Sequence, residues 1–155
     1  MTDAADRRPC VVVGYDGSAP AREAVRYAAR RAGEGGRVVL VYAFHPPPDH
    51  LGTPFYERHL TEHEGHGRAV LDEILRSDDP ALAGLTVEDE LVGGPPAETI
   101  ASVARVHDAD EIVVASRGHG RLRAVIGGVA QGLLHVADRP VVVLPQGYLD
   151  ARPSR

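Results

Sequence analysis

The residues best placed to do chemistry are one aspartate and a set of glycines, each following an apolar run. Asp16 closes Cys10-Val11-Val12-Val13, in the turn Gly14-Tyr15-Asp16-Gly17-Ser18. The glycines follow Ile112-Val113-Val114-Ala115. They fall in the loop Ser116-Arg117-Gly118-His119-Gly120 and in the pair Gly127-Gly128, which opens an amphipathic segment ahead of Pro140 and a last apolar run, 141–144. Strand, glycine loop, helix and strand make a βαβ unit. Glycines after a strand let backbone N–H groups approach an anion, and a helix N-terminus favours negative charge. An aspartate facing that loop can bond a ribose hydroxyl, while Gly118, Gly120, Gly127 and Gly128 leave room for phosphates. On pattern alone this nucleotide reading stands beside a plainer one, an Asp-Gly-Ser cap with glycines that only close loops.

Other candidates carry less. His59, His63 and His66 share one helical face with Glu62 nearby, and His45 and His50 lie just upstream. Imidazoles one turn apart can share a metal, but no cysteine joins them, and a solvated polar face is the expectation. His135 reads as a packed or interface residue, and Cys10, opening a buried strand, as an inert thiol. No Ser/His/Asp or Cys/His arrangement has a credible shared location, and nothing marks a catalytic base. All 17 basic side chains are arginine, so no Walker-type lysine exists.

The elements that must hold Asp16 and the glycines read off the chain in order. The run from Cys10 is a central strand buried on both faces. Ser18 is the expected N-cap of a helix over 20–32, with Pro20 in its first turn and a small-residue face of Ala21, Ala24, Val25, Ala28 and Ala32. Gly33, Gly35 and Gly36 end it. Residues 38–44 form a second buried strand, followed by a proline-rich loop over 45–54 that cannot join a central sheet. A long helix over 57–76 follows, its stripe made of Ala69, Val70, Leu71, Ile74 and Leu75, with Gly65 and Gly67 weakening its middle. Residues 85–92 read as an edge strand. Gly93-Gly94-Pro95-Pro96 then leads into a helix with the face Ala97, Ile100, Ala101, Val103 and Ala104, ending near His107-Asp108. Strands alternating with helices imply a parallel, doubly wound α/β sheet with helices on both faces. Its ligand crevice lies where the strand order reverses, beside the first and fourth strands.

Composition bounds the rest. The 155 residues suit a single domain. A net charge of -5 argues against bulk nucleic-acid binding, which needs a basic face. One cysteine excludes an internal disulfide framework. No apolar run approaches the roughly 18 residues of a membrane span, and the N-terminus carries no signal-peptide core. A cytoplasmic protein is the expectation.

Specific stretches also carry a resemblance. Val12-Val13-Gly14-Tyr15-Asp16-Gly17-Ser18 ahead of an alanine-rich helix resembles the opening of the universal stress protein family. Gly93-Gly94-Pro95-Pro96-Ala97-Glu98-Thr99-Ile100 resembles its entry to the third helix. Ala115-Ser116-Arg117-Gly118-His119-Gly120, Gly127-Gly128-Val129 and the stretch 135–143 resemble its C-terminal signature. The likeness covers residues 9–145 and leaves 1–8 and 146–155 as flexible termini. It implies an adenine nucleotide alpha hydrolase-like fold of five parallel strands in the order 3-2-1-4-5. It also implies a homodimer joined through the last strand, 141–144.

Part of the family binds ATP, with or without Mg²⁺, through G-x2-G-x9-G-[ST]. Carried over, adenine and ribose would lie near Gly14, Asp16 and Ala43, and phosphates on Ala115, Gly118, Gly127, Gly128 and Val129. This chain departs from the pattern three times. Ala115 replaces the first glycine, eight residues rather than nine separate Gly118 from Gly127, and Gly128 replaces the final hydroxyl residue. The lost residue shortens the phosphate loop by about 3.3 Å of reach. Arg117, Arg121 and Arg123 are the charges near enough to compensate, or a solvated loop. The resemblance thus implies a homodimeric, ATP-binding stress-response regulator with at most slow ATP hydrolysis. The departures keep open a member that binds no ATP and serves as a dimeric protein-interaction module.

Overall fold

The computed structural model describes residues 7–48, 50, 52–116 and 126–148. Along them run β1 (Cys10–Gly14), α1 (Ala19–Ala32), β2 (Arg37–Phe44), α2 (Thr53–Leu75), β3 (Thr86–Gly93), α3 (Pro96–Val106), β4 (Glu111–Ala115), α4 (Gly128–Val136) and β5 (Val141–Leu144). The strands form one parallel sheet in the order β3-β2-β1-β4-β5. Fold class and strand order are as the sequence and its resemblance imply.

Successive side chains of a strand point to opposite faces, so each apolar run feeds two cores. Val11, Val13, Val38, Leu40 and Val113 pack under α1 and α2. Cys10, Val12, Val39, Val41, Ile112 and Val114 pack under α3 and α4. The β1–β4 register sets Val13 beside Val113 and brings the ends of both strands together. That juxtaposition is what positions the site.

α1 starts where the serine predicts. Ser18 Oγ accepts from the Ala21 N–H at 3.2 Å, and Gly33 ends the helix at φ 67°, a left-handed conformation that favours glycine. α2 differs from its expected bounds by starting four residues earlier, at Thr53, which shortens the proline-rich loop. Its expected stripe is also corrected. Ala69 and Leu75 are exposed, Val70 is half-buried, and the buried residues are Gly67, Leu71 and Ile74.

Gly67 is a contact rather than a weakness. A Cβ there would lie 2.5 Å from Leu91 Cδ1 and 2.7 Å from Tyr42 Cδ1. Gly65, by contrast, has open space around it. Alanine gains about 1 kcal/mol over glycine in a helix, whereas forcing a methyl into packed surroundings costs about 1–3 kcal/mol. Denaturant titration should therefore show Gly65→Ala stabilised and Gly67→Ala destabilised. Equal gains at both sites would mean that α2 does not lie on Tyr42 and Leu91.

Arg139 ties the end of α3 to the segment before β5. Its Nη1 donates to the carbonyls of Ala104 at 2.9 Å, which also accepts from the Ala109 N–H, and of Ala109 at 2.7 Å, just beyond the helix end. Its Nε donates to Asp138, which also accepts from Arg105 at 3.2 Å. Hydrogen bonds from Arg139 and Arg105 hold the Asp138 carboxyl at about 2. A carboxylate whose pKa drops on folding stabilises above its unfolded value, and that contribution disappears as pH falls through the folded value. Acid titration followed by circular dichroism should show this contribution lost between about pH 4 and pH 2. Asp138→Asn should remove that part of the pH dependence and leave the curve above pH 5 parallel to that of the parent.

Two expectations about the ends change. Arg7, read as part of a frayed terminus, pairs with Asp108 and with Asp110. Gln146–Tyr148, the start of the terminus expected to be flexible, forms a 3-10 turn whose Tyr148 ring meets Tyr27 edge-on at 6.0 Å. His135 is not packed within the chain; it is exposed on α4.

Candidate functional site

The chain leaves β1 through a turn that the sequence itself ties down. The Tyr15 N–H donates to the Val41 carbonyl at 2.9 Å, which carries the sheet one residue further. Gly17 takes φ 81°, and the Ser18 N–H donates to Asp16 Oδ1 at 2.9 Å. Asp16 therefore performs the cap-and-turn role of the plainer reading, and it also borders a cavity.

That cavity measures about 310 Å³, at the lower end of small-molecule sites at ~300–1,000 Å³. Gly14, Val41, Ala43 and Val114 of the sheet line it beneath Pro96 and Ile100 of α3. Ala115, Ser116 and the start of α4, from Gly127 to Ala130, complete it. Gly14 makes the space. A Cβ there would lie 2.9 Å from both Ile100 Cδ1 and Val114 Cγ1, so any side chain would force a shift among residues that line the cavity.

The N-terminus of α4 borders the cavity. Gly127 is its N-cap and offers no side-chain acceptor. The first N–H groups of a helix have no partner within it, and among the described residues no side chain caps those of Gly128, Val129 and Ala130 at the cavity wall. Gly127 itself is different. Its N–H already donates to the Ser116 carbonyl at 2.6 Å, and the Ser116 N–H donates to Leu144 at 2.8 Å. These two bonds close the loop between β4 and α4 and fix where the helix begins.

Of the nine residues singled out from sequence, Gly14, Asp16, Ala43, Ala115, Gly127, Gly128 and Val129 share this one cavity. Gly118 and Gly120, with Arg117, Arg121 and Arg123, lie outside the described residues. Sequence reasoning missed Pro96 and Ile100 as lining, having assigned them to a helix entry and a helix core. The Gly93-Gly94-Pro95-Pro96 turn was the available signal, since it sets where α3 starts above the sheet. The histidines do not converge. His63 stacks on Phe44 with ring centres 6.1 Å apart, and His66 sits edge-on to Tyr42. Among the described residues no group of three or more His, Cys, Asp or Glu could hold a metal ion. Cys10 is buried, and burial pushes its thiol pKa up, away from reactivity. No helix among the described residues is long and apolar enough to cross a membrane.

Comparison with known proteins follows the same lines. The family model described as "Universal stress protein family" matches residues 10–145. A universal stress protein of Thermus aquaticus is 37% identical over 136 residues, covering 86% of this chain and 95% of the relative. One from Mycobacterium tuberculosis is 35% identical over 141 residues, covering 86% of this chain but 46% of the relative. The chain thus spans nearly all of the first and about half of the second. Among solved structures, a universal stress protein from Lactobacillus plantarum shares the fold at a TM-score of 0.71 and 22% identity, over 89% of this chain and 98% of that one. An Archaeoglobus fulgidus universal stress protein in complex with dAMP gives 0.54 and 22%, over 88% and 97%. An Arabidopsis thaliana family protein with AMP bound gives 0.62 and 15%, over 94% and 97%.

Proposed function

This chain belongs to the universal stress protein family, and from that premise we propose that it is an ATP-binding regulator whose occupancy acts as a signal rather than as fuel. The observation that carries the reading is one cavity bordered by both an aspartate and the uncapped amides of α4. An apolar lining of Val41, Ala43, Ile100 and Val114 suits a flat base. Asp16 suits a ribose diol, and the amides of Gly128 and Val129 suit phosphate. The adenine nucleotides named with the Archaeoglobus and Arabidopsis relatives support this choice of ligand. Gly14, which keeps the space open, supports it independently. Among the described residues nothing at the cavity marks a general base, which suits occupancy as a signal better than turnover.

The protein acts as a dimer through β5. Val141–Leu144 is an edge strand without a charged residue, and natural proteins cover or charge such edges. Sedimentation should give twice the 16.5 kDa chain mass.

The competing reading is a dimeric interaction module without nucleotide. It draws on the Gly127 amide being used internally and on the missing hydroxyl at Gly128. Thermal denaturation with AMP, ADP and ATP, with and without Mg²⁺, decides between them. Ligand at 100 times its dissociation constant adds about 2.7 kcal/mol, worth roughly 5–10 °C at this size. An unchanged midpoint at millimolar ATP and AMP would favour the module.

A further inference from the structure

A second cavity, of about 430 Å³, adjoins the first and shares Pro96, Gly128 and Val129 with it. Its remaining walls are His45, Pro95, Ala97, Glu98 and Gly132, none of which borders the inner cavity. His45 comes two residues after Ala43, just beyond the end of β2. α3 and α4 approach closely here, since a Cβ on Gly132 would lie 2.8 Å from the Ala97 Cβ. Their close packing keeps both cavities against the same short wall.

We propose that the outer cavity takes the second nucleoside of a dinucleoside polyphosphate whose first nucleotide fills the inner one. This rests on the nucleotide reading of the inner cavity. The shared wall carries the idea. Gly128 and Val129 supply the amides assigned to phosphate, and they border both spaces, so a phosphate chain held there adjoins the outer cavity as well as the inner one. The chemistry of the outer walls suits a ring rather than more phosphate. Pro95 and Pro96 present adjoining apolar surfaces against which a planar base can lie. The Glu98 carboxylate repels phosphate but accepts from the exocyclic amine of a purine, and His45 offers a ring nitrogen to the same base. A mononucleotide would leave this space to water.

Calorimetry with AMP, ATP and P1,P4-di(adenosine) tetraphosphate tests the assignment, on the parent chain and on His45→Ala and Pro95→Ala. Both changed residues are exposed and lie outside the inner cavity. Stacking and bonding of a second base should make the dinucleotide bind about tenfold more tightly than ATP. Each variant should reduce that advantage and leave AMP affinity unchanged. Equal affinity for ATP and the dinucleotide, or a dinucleotide advantage that survives both substitutions, would overturn the second subsite while AMP binding upheld the first. Absence of binding by all three ligands would overturn the nucleotide reading itself, and this proposal with it.

Discussion

Gly128→Ser is expected to tighten nucleotide binding by roughly tenfold to a hundredfold. Gly128 is the first residue of α4 and borders the cavity. Its φ lies outside the left-handed region, and a Cβ there would meet nothing within 4 Å. Serine therefore enters without strain or displacement and adds a hydroxyl donor beside the uncapped amides. A hydrogen bond to a charged group contributes about 1.5–3 kcal/mol, and each 1.4 kcal/mol is about a factor of ten in affinity. The substitution has a second effect, because replacing glycine at a helical position also stabilises the free protein. Gly128→Ala separates the two. It should raise the unliganded melting temperature as serine does and leave affinity near that of the parent chain. Calorimetry with AMP and ATP reads the difference. Matching affinities for the serine and alanine variants would mean that phosphate does not sit at α4.

The fold was legible because most of its determinants are side chains with a pattern. The run from Cys10 to Val13 is buried on both faces as an unbroken apolar run requires, and Ser18 caps the helix that follows it. The polar residues through 85–92, Glu88-Asp89-Glu90 among them, marked β3 as an edge, where it lies. α2 was misjudged where its determinant is the lack of a side chain. Gly67 packs because nothing projects from it, and apolar periodicity assigns no weight to an empty position, so Ala69 and Leu75 were given a burial they do not have.

The site shows the same division. Asp16 and the glycines before α4 were visible as residue types after strands, whereas Ala43 came only from the family resemblance. Pro96 and Ile100 were not visible, because only the packing of α3 across β1 and β2 turns a core-facing isoleucine into a cavity wall. Nor does spacing show that the Gly127 amide is committed to Ser116, a bond made by the path of the backbone. On the proposed nucleotide reading, that bond would leave phosphate to the amides one residue along the chain. This shift is why the side chain at Gly128 matters more than the motif alone suggests.

Gly14→Val should abolish detectable nucleotide binding while the chain remains folded. The position is the last residue of β1, where a β-branched side chain suits the strand conformation. Its surroundings do not suit one. Ile100 and Val114 are 3% and 4% exposed, and both would need to move from a Cβ placed 2.9 Å away. They are packed against the core on their other sides, so the open direction is the cavity. Overpacking of this kind costs about 1–3 kcal/mol, less than the roughly 5–15 kcal/mol that holds an ordinary domain together. Loss of binding should exceed loss of stability because a ligand of fixed shape cannot repack as a core does. Circular dichroism checks the fold and calorimetry the affinity. Gly14→Ala grades the effect, since its single methyl group meets Ile100 and Val114 at 2.9 Å but lacks the two further methyl groups that valine adds. A folded Gly14→Val protein with undiminished affinity for AMP would place the nucleotide outside this cavity. An alanine variant weaker than the valine variant would sever the link between the space above Gly14 and the ligand.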